Sequence, residues 1–336
     1  MEMIVSLNEK QYPIRIERGL IYKVGEYIES DRKAMIISDD GVPKTYIRAV
    51  AKQLKNREIF IFPHGEKSKS VETYRQIVQA LLKSDFSKRD YIVALGGGVT
   101  GDLCGFVAAT FKRGLRYINI PTTTLSMVDS SIGGKVALNE SGIKNAIGTF
   151  YHPDAVLIDP DTLETLPKRH FVNGAVEALK TGLIGDRALY ELISKEDYRA
   201  HFEEIIARSL KVKAEVVMKD EKEKDLRKIL NFGHTFGHAY EAYFAMKNYL
   251  HGEAVALGML TVSRGEPYYE ELKALLKKWR IKTEVSVEND KIIELIGNDK
   301  KADHGKVDLI LVKEIGRAEI VPTAIDDLKR YLEEEK

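Results

Sequence analysis

Three of the eight histidines lie close together in the chain, within Asn231-Phe-Gly-His-Thr-Phe-Gly-His238 and Leu250-His-Gly-Glu253. His234 and His238 are four residues apart, so on a helix they share one face. Imidazoles at this spacing, with His251 shortly after, are typical of a site for a metal such as zinc. The spacing leaves open which of His234 and His238 is the ligand. A packing and capping role for these histidines is the alternative.

A carboxylate is needed to complete such a site, and Glu177 is the candidate. It lies in Val172-Asn-Gly-Ala-Val-Glu-Ala-Leu-Lys180, a segment of mostly small and apolar residues with helical spacing. An acidic side chain costs free energy in such surroundings unless it has a partner. The sequence therefore favours Glu177 as a third ligand.

A glycine-rich segment, Gly96-Gly-Gly-Val-Thr-Gly-Asp102, follows the apolar run 91–95 and precedes a helical pattern. Gly96, Gly98 and Gly101 have the spacing of a dinucleotide-binding loop, in which the backbone approaches a pyrophosphate at a helix N-terminus. A tight turn without a ligand is the alternative. The ribose-binding acid expected about 20 residues later is missing. Asp39, and Glu66 with Lys69, follow earlier strands and are the candidates for the adenosine side.

Cations recur in turn-rich segments although the chain has 52 Lys and Arg against 51 Asp and Glu. A net charge of +1 excludes a general attraction to nucleic acid. It permits a local pocket for a phosphate or carboxylate. The residues concerned are Arg113, Lys135, Lys144 with Asn145, Lys180, Lys213 and Arg227.

The elements that must position these side chains change character along the chain. β-branched runs at 34–38, 58–62, 91–95 and 117–120 alternate with helical patterns at 43–54, 71–84 and 103–110. This alternation predicts a parallel sheet. From 169 to 230 the pattern is helical, with further helices at 252–261, 267–279 and from 325. We predict two domains with a cleft between them, an α/β nucleotide-type domain over residues 1–165 and a mainly α-helical domain over 166–336.

The cysteine content and the absence of long apolar runs in the sequence indicate the compartment in which the protein works. Cys104 is the single cysteine, so no intrachain disulfide forms. The N-terminus lacks the pattern of a signal peptide, and no apolar run approaches the roughly 20 residues that cross a bilayer. We expect a cytoplasmic protein that contacts neither membrane nor nucleic acid.

Taken together, the motifs closely resemble the 3-dehydroquinate synthases, a sugar-phosphate cyclase family. The resemblance covers most of the chain in the family's order. It is carried by Gly96–Asp102, Arg113-Gly114, Pro121-Thr-Thr-Thr124, Asp129-Ser-Ser-Ile-Gly-Gly-Lys135, Gly142-Ile-Lys-Asn145, Glu177-Ala-Leu-Lys180, the two histidine segments, and Asp299-Lys-Lys301.

The resemblance implies a role for each matching residue. The resemblance implies that residues 1–165 form a Rossmann-like NAD-binding domain, that residues 166–336 form an α-helical metal- and substrate-binding domain, and that the active site lies in the cleft between them. The family's metal, zinc or alternatively cobalt, would be held by Glu177, His234 and His251, which makes His238 a substrate residue. Substrate contacts or catalytic roles are implied for Asp129, Lys135, Asn145, Lys180, Lys213, Arg227, Asn231, His238, Lys300 and Arg113. Whether Lys300 or Lys301 matches the phosphate-binding lysine is left open. NAD contacts are implied for Asp39, His64, Gly65, Glu66, Lys67, Ser68, Lys69, Gly98, Val99, Thr100, Gly101, Asp102, Thr122, Thr123, Lys135, Lys144, Thr162, Leu163, Glu164 and Thr165.

The reaction that the resemblance implies is a carbon–oxygen lyase step of the shikimate pathway to chorismate and the aromatic amino acids. The substrate, 3-deoxy-D-arabino-heptulosonate 7-phosphate, is oxidised transiently by NAD, loses phosphate by β-elimination and is reduced again. Ring opening and an intramolecular aldol step then give 3-dehydroquinate. A homodimer is implied, with Arg113 reaching into the partner's site. The alternatives are a sister cyclase acting on a neutral sugar phosphate, a metal-dependent polyol dehydrogenase, and an inactive dinucleotide-binding module.

Overall fold

The computed structural model describes residues 1–244, 249–299 and 305–333. The chain forms two compact units, one of Met1–Phe171 with Phe202–Glu221 and one of Val172–His201 with Lys222–Lys336. Within the described ranges, no helix is both long enough and apolar enough to span a bilayer.

The first unit is built on a seven-stranded sheet of order β1-β2-β9-β6-β5-β3-β4. Its strands are β1 (Glu2–Ser6), β2 (Gln11–Ile16), β3 (Lys33–Asp39), β4 (Asn56–Phe62), β5 (Tyr91–Gly96), β6 (Arg116–Pro121) and β9 (Ala155–Ile158). β1 and β2 pair antiparallel, and the other neighbours pair parallel. The predicted parallel α/β sheet is confirmed.

Helices cover both faces of this sheet. They are α1 (Lys44–Gln53), α2 (Val71–Lys83), α3 (Gly98–Thr110) and α6 (Phe202–Lys219). Every residue of β5 is buried. Val93 and Leu95 pack in a cluster with the apolar side chains of α1, whereas Ile92 and Ala94 pack with those of α2 and α3. Side chains of a strand alternate between faces, so a strand buried on both is apolar throughout.

A hairpin outside the main sheet carries two of the predicted cations. It consists of β7 (Lys135–Glu140) and β8 (Ile143–Phe150), which pair antiparallel. Ser141 and Gly142 connect them with φ of 51° and 79°. Positive φ at both central residues is the geometry of the tight hairpin turn that matches strand twist. All eight residues of β8 are exposed.

The second unit is mainly helical. It contains α4 (Lys168–Gly185) from residue 172 onward, α5 (Arg187–Ile193), α7 (His234–Tyr243), α8 (His251–Val262), α9 (Tyr269–Lys278) and α10 (Asn289–Asp299). An antiparallel hairpin of β10 (Lys306–Glu314) and β11 (Arg317–Ala324) follows, and the described part of the chain finishes just after a 3-10 turn at Asp326–Tyr331.

Four details differ from the sequence-based expectations. The hairpin β10–β11 was not predicted, and the stretch 169–230 is several helices separated by turns. The predicted final helix from residue 325 is one short 3-10 turn. Residues 202–221 group with the first compact unit, whereas the predicted boundary at 165/166 would assign them to the second domain. That boundary stays a prediction.

Candidate active site

The glycine segment connects β5 to α3, as predicted. Gly97 is the residue before α3, and no described side chain caps the first turn of this helix. The uncapped N–H groups and the helix dipole favour an anion. A β-carbon on Gly96 would lie 2.4 Å from the Thr100 hydroxyl oxygen, so glycine is required there. Thr100 in turn donates a hydrogen bond to Asp39 at 2.8 Å.

Asp39 and His64 lie at the carboxyl ends of β3 and β4, the edge at which open α/β sheets bind ligands. Asp39 also accepts a hydrogen bond from the amide of Gly41 at 3.0 Å. The adjacent Asp40 contacts Nδ1 of His64 at 2.6 Å and accepts its amide hydrogen bond at 2.7 Å. The hydrogen bond to Asp40 raises the pKa of His64, and the reciprocal bonds from His64 lower the pKa of Asp40.

Lys69 connects three segments that the sequence analysis assigned to the site. Its ammonium, 5% exposed, pairs with Asp102 of α3 and donates to the side-chain oxygen of Asn145 on β8. Glu66 accepts a hydrogen bond from Asn139 at 2.8 Å, and Asn139 accepts one from the amide of Asn145 at 2.8 Å. The structure thus brings together predicted residues that are far apart in sequence.

A second buried cation lies beside Asp129. Lys213, on α6, is 7% exposed and donates to the main-chain oxygen of Asp129 at 2.7 Å while pairing with its carboxylate at 2.8 Å. Asp129 belongs to a π-helical turn, Ser126–Ser130. Such turns are rare and occur frequently at functional sites. Both residues were predicted as substrate contacts.

The other predicted residues of the first unit occupy loops and edges. Thr122 is buried just after β6, and Thr123 contacts Ser126 at 2.8 Å. The segment Pro160–Thr165 is a 3-10 turn. The exposed predicted residues of this unit are His64, Gly65, Lys67, Arg113, Lys135, Lys144, Asn145, Glu164 and Thr165.

In the second unit, Glu177 of α4 meets the first residues of α7 and α8. Its Oε1 lies 3.8 Å from Nε2 of His234 and 3.5 Å from Nε2 of His251. One ligand atom from each of the three residues falls within 4.8 Å of the others, a grouping that suits a single metal ion. Oε1 is buried and accepts no hydrogen bond from any described residue.

Glycines let the three helices approach closely enough to form this group. A β-carbon on Gly237 of α7 would lie 3.1 Å from the Cα of Val255 on α8. A β-carbon on Gly252 would lie 2.0 Å from the carbonyl oxygen of Asn173 on α4. The Asn173 side chain also accepts the amide hydrogen bond of Gly252 at 2.7 Å. Asn173 therefore fixes the start of α8, and with it His251, against α4.

The charges of this group are strongly coupled. Burial opposes ionisation of Glu177, but the ammonium of Lys180, 2.6 Å from Oε2, and the imidazole of His251 hold the pKa of Glu177 well below its usual range. Burial, reinforced by Lys180, lowers the pKa of His234 to about 3. For His251 burial acts in the same direction, but the carboxylates of Glu177 and Glu241 outweigh it and raise its pKa to about 10.

His238 belongs to a second, overlapping group with Glu241 and His251. Its side chain is exposed on α7, with its ring centroid 5.3 Å from that of His234. Arg227 and Asn231 lie on a 3-10 turn, Leu226–Asn231, where Arg227 is 2% exposed and Asn231 donates to Glu223 at 2.9 Å. Lys300 and Lys301 lie outside the described residues.

The sequence analysis did not single out Asn173, Glu241 or His152. Glu241 follows His238 by three residues, a helical neighbour spacing that could have drawn attention to it. His152 is buried beneath Gly134, where a β-carbon would lie 2.6 Å from its ring. No pattern in the sequence marks this contact.

Solved structures of sugar-phosphate cyclases share this fold. One is 2-deoxy-scyllo-inosose synthase complexed with carbaglucose-6-phosphate, NAD+ and Co2+, with a TM-score of 0.88 and 26% identity over 98% of both chains. Another is 2-epi-5-epi-valiolone synthase from Streptomyces hygroscopicus with NAD+ and Zn2+ bound, with a TM-score of 0.88 and 25% identity over 98% of both chains. By its similarity to these structures over almost its whole length, the fold of this chain is that of the sugar-phosphate cyclases.

Sequence comparison narrows the class to one family. Residues 59–173 match the N-terminal model of 3-dehydroquinate synthase, and residues 174–302 match the C-terminal model. The 3-dehydroquinate synthase of Streptococcus mutans is 38% identical over 99% of this chain and 100% of its own length. The chain belongs to the 3-dehydroquinate synthase family.

Proposed function

We propose that this chain catalyses the reaction of its family, conversion of 3-deoxy-D-arabino-heptulosonate 7-phosphate to 3-dehydroquinate and phosphate. The family membership supports this assignment. The single observation that carries it is the grouping of Glu177, His234 and His251 beside the ammonium of Lys180. Such a group can hold a metal ion next to a fixed positive charge, which suits an anionic hydroxy acid.

We infer that Glu177, His234 and His251 hold one divalent cation, zinc or cobalt. The residues fit such an ion because Glu177 Oε1 is buried without a hydrogen-bond donor among the described residues, which a cation would satisfy. One carboxylate with two imidazoles is also a common ligand set of catalytic zinc, and it leaves a position for substrate.

We further propose that the first turn of α3 and the strand ends beside it bind NAD. The uncapped helix N-terminus suits the pyrophosphate, and Asp39 lies at a strand end that suits the adenosine side. When bound, NAD supplies a reversible hydride acceptor and the cation supplies a Lewis acid. The remaining task of the protein is to hold one flexible molecule in place through several steps.

The anionic groups of the substrate need cations from the chain. We assign Lys135, Asn145, His238 and Lys300 or Lys301 to the phosphate, and Lys213 and Arg227 to the carboxylate. Lys213 and Arg227 are buried cations, which suit an anionic group, and Lys213 already pairs with the carboxylate of Asp129. A sister cyclase acting on a neutral sugar phosphate has no carboxylate for these two residues to bind, and this distinguishes the two readings.

We also propose a cytoplasmic homodimer in which Arg113 acts in the partner's site. Ile143, Ile147 and Phe150 of β8 expose apolar surface, and Arg113 makes no ion pair within the described ranges. Mixing Arg113→Ala and Glu177→Ala chains tests this arrangement. Each variant alone is expected to be inactive, and the mixed dimer is expected to regain activity in one of its two sites. No regained activity after verified exchange of subunits excludes the shared site.

Phosphate release from the heptulosonate phosphate, with NAD present at far below the substrate concentration, tests the proposed reaction. We expect many turnovers per NAD without lasting absorbance of NADH, loss of activity in EDTA and in Glu177→Ala, and normal activity in the surface control Glu270→Ala. NADH formed in proportion to substrate would indicate a dehydrogenase. Phosphate released from a neutral sugar phosphate alone would indicate a sister cyclase.

A further inference from the structure

We propose that Glu241 is a positioning residue for His251, an inference that rests on the metal site proposed above. In this assignment Glu241 accepts the Nδ1–H of His251 and so fixes the tautomer of the ring. Nε2 is then left without a proton and its lone pair is directed to the cation held with Glu177 and His234. Glu241 acts through His251 and does not itself contact the ion.

The two nitrogens of His251 face two different carboxylates. Nε2 lies 3.5 Å from Oε1 of Glu177, and Nδ1 lies 3.5 Å from Oε1 of Glu241. The second distance is at the outer limit of a hydrogen bond, so a small rotation of the ring completes it. A metal-bound histidine nearly always donates its other N–H to a carboxylate, carbonyl or water, which fixes the ring and strengthens its basicity.

The position of Glu241 in the fold explains how it reaches His251. It follows His238 by three residues and His234 by seven, so all three lie on one face of α7. The close packing of Gly237 against Val255 places this face beside the start of α8, where His251 is the first helical residue. Glu241 is 8% exposed, and a carboxylate so buried needs a polar partner, which His251 supplies.

A different reading makes Glu241 a metal ligand together with His238 and His251. The neutral imidazole of His251 has one nitrogen lone pair to offer, so it serves only one of the two groups. Glu177 decides between them. Its Oε1 is fully buried and lacks a hydrogen-bond donor among the described residues, and a cation bound in the first group would satisfy this acceptor. His238 in the second group is exposed.

Zinc affinity of the metal-free protein, measured by competition with a chromophoric chelator, tests the proposal without substrate. We expect Glu241→Ala to weaken zinc binding about 10- to 100-fold, the range found for such supporting carboxylates. Glu241→Gln keeps an acceptor oxygen and is expected to recover part of this loss. Glu270→Ala, an exposed carboxylate on α9, serves as the matched control and is expected to bind zinc like the original chain.

The protonation state of the His251 ring can be measured independently of the stability of the fold. Long-range 1H–15N correlation of histidine-labelled, zinc-loaded protein is expected to show His251 with Nδ1 protonated and Nε2 bound to metal. Because this spectrum is taken on the original chain, it tests the tautomer that the proposal requires even where Glu241→Ala fails to fold. Metal on Nδ1, or unchanged zinc affinity in a folded Glu241→Ala, overturns the proposal.

The outcome is separable from that of the proposed reaction. A chain that binds zinc in a Glu241-dependent way but releases no phosphate from the heptulosonate phosphate upholds the role of Glu241 and refutes the substrate assignment. A chain that forms 3-dehydroquinate while zinc affinity is indifferent to Glu241 upholds the reaction and refutes this inference.

Discussion

Gly258 of α8 lies so close to Gly233, the residue before α7, that a β-carbon at position 258 would be 1.9 Å from the Gly233 carbonyl oxygen. The same β-carbon would lie 2.7 Å from the amide nitrogen of Gly237. Both contacts are with backbone atoms, so a side-chain rotation cannot relieve them. The two helices that begin with His234 and His251 therefore depend on glycine here for their distance from each other.

We accordingly predict that Gly258→Ala separates α7 from α8. The free energy of unfolding is expected to fall by about 1–3 kcal/mol, the usual effect of overpacking. Zinc affinity is expected to fall as well. Urea unfolding and zinc competition measure the two effects. Gly297→Ala on α10 is the matched control, because among the described residues its β-carbon would meet no atom of another element closer than 4.0 Å. There we expect unchanged or slightly increased stability.

The buried pair Lys180 and Glu177 gives a second prediction. Their side chains are 3% and 1% exposed, so removing one partner leaves a buried charge without its closest counter-ion. Lys180→Met is expected to lower the free energy of unfolding in EDTA by about 3–5 kcal/mol. Adding Glu177→Gln to Lys180→Met is expected to restore part of that loss. Additive effects in urea unfolding would contradict a coupled pair.

The contact between His64 and Asp40 predicts a measurable pH dependence. Asp40 raises the pKa of His64 above its ordinary value of 6.5, so the contact stabilises the fold fully below that value. This contribution is lost as the pH rises through the raised pKa. An NMR titration of the His64 ring is expected to show the raised pKa, and Asp40→Asn is expected to return it toward 6.5. A His64 titration that Asp40→Asn leaves unchanged would refute the assignment.

Gly134, next to Lys135, gives a prediction that a second substitution, at His152, can test. Its φ is 69°, and a β-carbon there would lie 2.6 Å from the ring of His152. Gly134→Ala is expected to destabilise the protein through backbone strain of about 1–2 kcal/mol and through the clash with the ring. In a His152→Ala background only the strain remains, so the effect of Gly134→Ala is expected to be smaller. Equal effects in both backgrounds would show that the ring is not involved.

Much of this architecture is predictable because its signals are local. The glycine segment between β5 and α3 has a fixed spacing, and the fully buried strands β5 and β9 are apolar throughout. The spacing of His234 and His238 predicts a shared helix face, but the sequence alone cannot choose between them. The choice depends on where α4 presents Glu177, which is a tertiary relationship.

The features that could not be predicted are contacts between segments that are far apart in the sequence. Asn173 and Gly252 are 79 residues apart in the chain, and their hydrogen bond has no local pattern. The hairpin β10–β11 follows a long run of helical segments. Its strands contain several charged residues, Lys306, Asp308, Lys313 and Glu314 in β10 and Arg317 and Glu319 in β11, which weaken the alternation that marks a strand. Lys213 lies in a segment whose sequence pattern is simply helical. Its pairing with Asp129 arises because α6 packs within the first unit, which the local pattern does not indicate.

The chain passes between the two compact units more than once, and this restricts where the protein can be divided into fragments. The chain supplies the first unit, then the second, then returns at residues 202–221 to the first before completing the second. A single cut therefore cannot yield two complete pieces. A fragment that ends at residue 171 would carry Asp129 but lack Lys213, leaving the carboxylate without its buried counter-ion. Recombination that exchanges one unit for a relative's needs coordinated crossovers on both sides of α6.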